Sequence, residues 1–154
     1  MKTLSFISPV GYVILTEENE KLIRVRLSEN PSSENFETPL LIDVKQQLGN
    51  YFDGKLKQFD CKIELKGTKF QKQVWKELQN IPFAQTKSYK QIAENIGKPK
   101  AVRAVANAIG RNPISIIIPC HRVIGADGSL TGYYYGLKIK KFLLDLEKAS
   151  FLSK

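Results

Sequence analysis

The spacing of apolar residues changes once along this chain, at Gly67, and that change constrains the fold more than any other feature. Before it, residues 3–27 alternate: Leu4, Phe6, Tyr12, Ile14, Ile23, Val25 and Leu27 sit between polar neighbours. Alternation with period two is the mark of half-buried strands. Pro9-Val10-Gly11 and Glu18-Asn19-Glu20 supply turns, so three short antiparallel strands are expected. Residues 28–39 read as a loop. Residues 40–52 carry Leu41, Val44, Leu48, Tyr51 and Phe52 at helical spacing. Residues 59–65 read as a further strand. A small α/β domain over residues 1–66 follows, with a second domain over residues 67–154.

After Gly67 the period is helical. Thr68 is a good N-cap for a helix bearing Phe70, Val74, Trp75 and Leu78, and Pro82 stops it. Ser88-Tyr89-Lys90-Gln91 is a capping box, opening a short helix that buries Ile92, Ala93 and Ile96 and ends at Gly97. Pro99 is expected at the first position of the next helix, which buries Val102, Val105, Ala106 and Ile109 and closes at Gly110. Two short helices joined by a tight turn containing Gly read as a helix-turn-helix. The second domain is therefore expected to be mainly α.

Composition narrows the function classes. At 154 residues with 42% hydrophobic and 25% charged residues, a folded protein is expected. No apolar run approaches the roughly 20 residues that span a bilayer, and the first residues lack the apolar core of a signal peptide. A cytosolic protein without membrane association is expected. Two cysteines, Cys61 and Cys120, and one histidine, His121, do not supply a metal site, so no metal is expected. The formal net charge of +9 favours a polyanionic partner, because neutralised phosphates release counterions.

Two features carry chemistry. The first is a stripe on the helix after Pro99: Lys100, Arg103, Ala104, Asn107, Ala108 and Arg111 recur at i, i+3, i+4, i+7, i+8 and i+11. Small residues allow close approach to a surface, and cations contact phosphates, so the stripe fits DNA. A solvated, alanine-rich helix face fits it too. The second is Pro119-Cys120-His121-Arg122-Val123, delivered by the β-branched run Ile114-Ser115-Ile116-Ile117-Ile118, which reads as a buried extended segment. A thiol becomes a nucleophile as thiolate, and His121 can take its proton directly or through a water. Adjacent residues on a strand face opposite ways, so the contact needs a turn after Pro119 or a bridging water. A buried, inert cysteine is the competing reading. Cys61 has no basic neighbour and reads as structural.

At these residues the chain resembles the methylated-DNA–protein-cysteine methyltransferases, also called O6-alkylguanine-DNA alkyltransferases. The resemblance rests on Ile118-Pro119-Cys120-His121-Arg122-Val123, with Asn112-Pro113, Arg103-Ala104-Val105, Ser88-Tyr89 and Phe70 to Trp75 upstream. Downstream it includes Gly132-Tyr133, Gly136-Leu137 and Leu143 to Glu147. It covers about residues 68–149; the first half matches in outline only. It implies a ribonuclease-H-like first domain and a second domain with a winged-helix-like helix-turn-helix. It further implies single-turnover transfer of an alkyl group from O6-alkylguanine in double-stranded DNA to Cys120, without a cofactor, by a monomer that lies in the minor groove.

Roles follow from the same resemblance. His121 is a general base acting through a water, oriented by Glu147. Asn112 is a hinge, and Tyr89 presses on a phosphate and hydrogen-bonds the departing guanine. Arg103 fills the gap left by the flipped nucleotide, with Lys100, Ala104, Asn107 and Arg111 on the same DNA-binding face. Val123, Tyr133 and Tyr134 line the base pocket, partly through backbone. The sequence departs from the family at Tyr134 and Tyr135, where small residues are usual. Two outcomes are open: rings that narrow the pocket toward methyl groups, or rings that face solvent. A damage-recognition protein without transfer, a helix-turn-helix regulator and a cysteine hydrolase are the competing functions.

Overall fold

The computed structural model describes residues 1–152 and separates them into two compact units. The first comprises Met1–Lys66 together with Pro113–Ser115. Strands β1 (Lys2–Ser8), β2 (Gly11–Glu18) and β3 (Lys21–Ser28) form an antiparallel meander in that order. Gly11 sits at φ +100, a conformation that favours glycine, in the first turn. Asn19 and Glu20 both adopt left-handed backbone in the second, the geometry of a tight two-residue hairpin loop. Helix α1 (Pro39–Phe52) begins under Thr38, whose hydroxyl accepts from the Leu41 N–H, and packs against all three strands. Leu41, Val44, Leu48 and Tyr51 are its buried face, meeting the apolar side of the sheet that includes Val13, Leu15 and Val25.

One expected strand is absent. Of residues 59–65, only Ile63 bridges Leu22, through Leu22 N–H to the Lys62 carbonyl at 2.8 Å and Glu64 N–H to the Leu22 carbonyl at 2.9 Å. The far edge of β3 is shared: Val25 bonds to Pro113 and Ser115 instead, so the segment pairs over a single residue. The β-branched run is likewise not one extended segment. Ile114 bridges Val25, and Ile116 then turns at φ +72. That conformation costs a β-branched residue of order 1–3 kcal/mol and is held here by complete burial of the side chain.

The second unit runs over Gly67–Asn112 and from Ile116 on. Helix α2 (Lys69–Leu78) opens with a capping box formed by Thr68 and Gln71. The two-residue strand β4 (Lys87–Ser88) leads into α3 (Tyr89–Asn95), whose capping box is Ser88 with Gln91. Helix α3 closes with Lys98 N–H on the Ala93 carbonyl and Gly97 N–H on the Glu94 carbonyl, Gly97 lying at φ +76. This is a Schellman motif. It occupies residues 96–98, so Pro99 follows a C-cap and is not the first residue of the next helix. Helix α4 (Val102–Gly110) starts three residues later, on Ala101 with no side-chain cap. Helices α3 and α4 form the helix-turn-helix, and α4 also packs on α2. A one-turn 3-10 helix (Cys120–Arg122) and β5 (Val123–Ile124), which pairs in parallel with β4, precede α5 (Leu137–Leu152).

Packing on α2 and α3 sets the rotation of α4. Val105, Ala108 and Ile109 are buried, whereas Val102 and Ala106 are only partly covered. Ala108 therefore leaves the exposed stripe and faces α2. Its carbonyl accepts from the indole N–H of Trp75 at 2.8 Å, a hydrogen bond that satisfies both buried groups. Among the described residues, no helix is long and apolar enough to cross a membrane.

Candidate active site

Pro119, at φ −82 and ψ 65, immediately precedes the 3-10 turn that carries Cys120 and His121. The turn supplies the bend that adjacent nucleophile and base require. Both residues are buried: Cys120 is 7% exposed and His121 not at all. His121 Nε2 lies 2.6 Å from Glu147 Oε2. Glu147 comes from the buried face of α5, which also carries Leu143 and Lys140.

Glu147 is the hub. It accepts from His121, from Arg122 Nε at 2.8 Å and Nη2 at 3.1 Å, and from the Ala84 N–H at 3.2 Å. Burial alone would raise its carboxyl. The hydrogen bonds and charges of His121 and Arg122 outweigh that and hold it down at about 2. Glu147 is thus an anion at neutral pH and can only accept. It follows that His121 Nε2 carries the hydrogen and Nδ1 the lone pair. Nδ1 is buried and has no hydrogen-bond partner among the described residues. Burial also lowers the imidazole's pKa, against the raising effect of Glu147, so His121 is neutral and able to take a proton.

The thiol is pushed up by burial. Asn112, Lys140 and Tyr133 act in the opposite direction without overcoming it. At neutral pH Cys120 therefore rests as a thiol and needs a base at the moment of reaction. Asn112 closes α4 and donates from Nδ2 to the Ile118 carbonyl at 2.8 Å. That bond ties the end of the helix to the residues just before the nucleophile. The Tyr133 hydroxyl, almost wholly buried, is near enough to Cys120 for each to shift the other's titration, but it makes no hydrogen bond of ordinary geometry among the described residues.

Two site residues are assigned no role by the sequence, although Arg122 lies within the cysteine motif. Lys140, fully buried, donates from Nζ to the carbonyls of Val123 at 2.5 Å, Thr131 at 3.0 Å and Gly132 at 3.1 Å. Burial brings it down to about 8, against the raising effect of Cys120. Arg122 reaches the Ile81 carbonyl at 2.7 Å as well as Glu147, and lies over the Phe83 ring at 5.7 Å. Lys140 sits in a run of three lysines within four residues, and only the register of α5 singles it out as the inward one.

The other expected positions are distributed as follows. Val123 is fully buried at the start of β5. Tyr89, first residue of α3, donates its hydroxyl to the Thr131 carbonyl at 2.7 Å, so it fastens the loop that carries Tyr133. Tyr134 is 79% exposed. Its ring stands largely in solvent, while Tyr135 beside it is half-buried. Lys100, Arg103, Ala104, Asn107 and Arg111 are all exposed on or beside α4, and Arg111 Nε donates to Asn107 Oδ1 at 3.1 Å. No acidic side chain interrupts that face. Among the described residues no group of His, Cys, Asp and Glu could hold a metal ion.

The family model of the 6-O-methylguanine DNA methyltransferase DNA-binding domain matches residues 69–149, and that of its ribonuclease-like domain matches residues 2–65. A methylated-DNA–protein-cysteine methyltransferase of Methanosarcina acetivorans is 49% identical over 148 residues, covering 92% of this chain and 95% of the relative. The constitutive enzyme of that name from Bacillus subtilis is 43% identical and covers 96% and 95%. The crystal structure of Mycobacterium tuberculosis OGT in complex with DNA superposes with a TM-score of 0.90 at 43% identity, covering 97% of this chain and 94% of that one.

Proposed function

We propose, since the chain belongs to the methylated-DNA–protein-cysteine methyltransferase family, that it repairs DNA by direct reversal and that Cys120 receives the alkyl group. The observation that carries this is the buried His121–Glu147 pair on the turn that bears Cys120, with a lone pair on Nδ1 and no partner for it among the described residues. A water bridging Nδ1 and the thiol completes a relay of the nucleophile–base–orienter kind.

The exposed face of α4 binds duplex DNA in the minor groove. Lys100 and Arg111 contact phosphates, while Ala104 and Asn107 allow close approach. Arg103 enters the stack and fills the space of the extruded O6-alkylguanine. Extrusion is needed because a stacked base hides its O6 substituent. Val123 and Tyr133 line the pocket beside Cys120, and Lys140 holds the Val123 carbonyl and the loop at 131–132 in place.

His121 takes the thiol proton through the water as Sγ attacks the alkyl carbon. The carbon–O6 bond breaks, its electron pair stays with guanine, and the base takes up a proton. Tyr89 hydrogen-bonds the departing base, which requires its hydroxyl to leave the Thr131 carbonyl. The product thioether has no leaving group that water can displace, so each chain turns over once, without cofactor, as a cytosolic monomer.

The test is on the DNA. A duplex carrying one O6-methylguanine, digested to nucleosides after incubation, is expected to yield 2′-deoxyguanosine in place of the methylated nucleoside, up to one equivalent of protein. Unchanged lesion with tight binding refutes transfer and leaves damage recognition alone.

A further inference from the structure

A cavity of about 630 Å³ opens in the first unit, where the β2–β3 hairpin meets the start of α1. That volume is in the range of sites for small molecules. Its walls carry both signs of charge. Glu17, Glu18 and Glu20 come from the hairpin, Lys2 from β1, and Lys62 from the segment bonded to Leu22. Thr38, Pro39 and Leu40 complete the wall at the start of α1. Glu18 is paired with Lys66, whereas Glu17, Glu20, Lys2 and Lys62 make no ion pair among the described residues.

Two polar groups in these walls lack partners among the described residues. Glu17 stands opposite Lys2 in the β1–β2 ladder and two residues from Leu15, so it lies on the face that α1 covers. It is 6% exposed, and its Oε1 is buried without a hydrogen bond. A buried carboxyl oxygen has lost its water, and native proteins rarely leave one without a donor. The second group is the Leu40 N–H. In the first turn of α1, Pro39 has no N–H, Leu41 N–H goes to the Thr38 hydroxyl and Ile42 N–H to the Thr38 carbonyl. Leu40 N–H is left pointing from the positive end of a 14-residue helix.

We propose that this cavity binds a free α-amino acid, its ammonium on Glu17 and its carboxylate on the Leu40 N–H. An α-amino acid carries its two charges a few bonds apart, and the hairpin and helix walls offer the complementary pair. Glu20 adds to the pull on the ammonium, Lys2 and Lys62 to the pull on the carboxylate. Pro39 and Leu40 give an apolar side chain a surface to rest on. Among the described residues no group of His, Cys, Asp and Glu could hold a metal ion, so an organic ammonium is the cation that suits Glu17. Every residue involved belongs to the first unit, and the proposal stands apart from alkyl transfer.

The test titrates the isotope-labelled full chain with L-leucine, leucinamide and 4-methylpentanoate and follows the backbone amides by NMR. The three share a side chain; the second lacks the carboxylate and the third the ammonium. Leucine is expected to move the Leu40 amide downfield and to shift residues 17–20, saturating with a Kd of about 1 mM or below. Each single-ended analogue loses a charge-assisted pair and binds about tenfold more weakly or worse. Glu17→Gln keeps the shape and removes the charge. It should weaken leucine by about tenfold and leave 4-methylpentanoate within about twofold. The three ligands on the parent decide the matter even if Glu17→Gln does not fold. Leucinamide binding as tightly as leucine overturns the proposal in favour of a simple cation site. Equal binding of 4-methylpentanoate overturns it in favour of an anion at the helix end. No shift with any of them up to about 10 mM, tenfold above the expected Kd, also overturns it and leaves Glu17 facing the α1 dipole alone.

Discussion

Replacing Glu147 by Gln removes the one negative charge that His121 and Arg122 share, and the structure sets the size of the loss. The carboxyl falls from an ordinary 4.5 to about 2 on folding. At about 1.4 kcal/mol per pH unit, that fall of 2.5 is worth about 3 kcal/mol of stability. Glu147 is fully buried, so solvent screening does not reduce the figure much. An independent route gives a similar size, because breaking a buried ion pair from one side costs about 3–5 kcal/mol. Here the stranded partner is Arg122, 7% exposed. The sign follows from linkage. A depressed carboxyl contributes its full stability above its unfolded value, and loses it as pH falls from about 4.5 toward 2. Urea unfolding at pH 7 is expected to show Glu147→Gln less stable by about 3 kcal/mol with the slope m unchanged. Lowering the pH from 5 to 3 should weaken the parent more than the variant. Adding Arg122→Met to Glu147→Gln removes the stranded charge and should restore part of the stability but none of the activity. A variant within about 0.5 kcal/mol of the parent at pH 7 would refute the reasoning, because a buried hub of this kind cannot lose its charge at the cost of a surface substitution.

Other expectations come from neighbouring parts of the site. Burial lowers the His121 pKa, so neutral imidazole persists below the ordinary 6.5, and the acid limb of the methyl-transfer rate should lie below that pH. His121→Gln should remove that limb and slow transfer by about 100-fold or more, as rates over pH 5–8 will show. Lys140→Met takes the donor from the Val123 carbonyl, leaves Tyr89 alone on the Thr131 carbonyl, and removes the cation that lowers the Cys120 thiol. It should cost about 1–3 kcal/mol in urea and slow iodoacetamide alkylation of Cys120 at pH 7.5. Lys100→Gln and Arg111→Gln should each weaken binding to undamaged duplex and lower the salt slope of log K by about 0.9, measured by fluorescence anisotropy at several salt concentrations.

The fold was legible where a residue's local chemistry decides. Thr68 as N-cap and Ser88 with Gln91 as a capping box start the helices expected of them, because the hydrogen bonds involved span three residues. It was less legible where tertiary competition decides. Pro99 is as good a first helical residue as a post-cap one, and the Schellman closure of α3 at Gly97 settles the matter. Ile116 reads as strand from its β-branched neighbours, yet packing bends it into left-handed backbone. Residues 59–65 have strand-like composition, but β3 spends its outer edge on Pro113 and Ser115. In the site, Cys120 and His121 are adjacent in the chain, and the structure joins His121 to Glu147 across 26 residues. Lys140 could not be chosen from among Lys138, Lys140 and Lys141 without knowing which way α5 turns. The tyrosine loop gave a choice between two side-chain directions, and exposure assigns Tyr134 to solvent.

The most direct test of the account is where the alkyl group ends. The protein is incubated with excess duplex carrying one O6-methylguanine and then measured intact and as peptides by mass spectrometry. The account predicts a gain of one methylene per chain, saturating at one equivalent and confined to the peptide that contains Cys120. A methyl group on any other residue, or no gain in mass while the duplex binds, would contradict it.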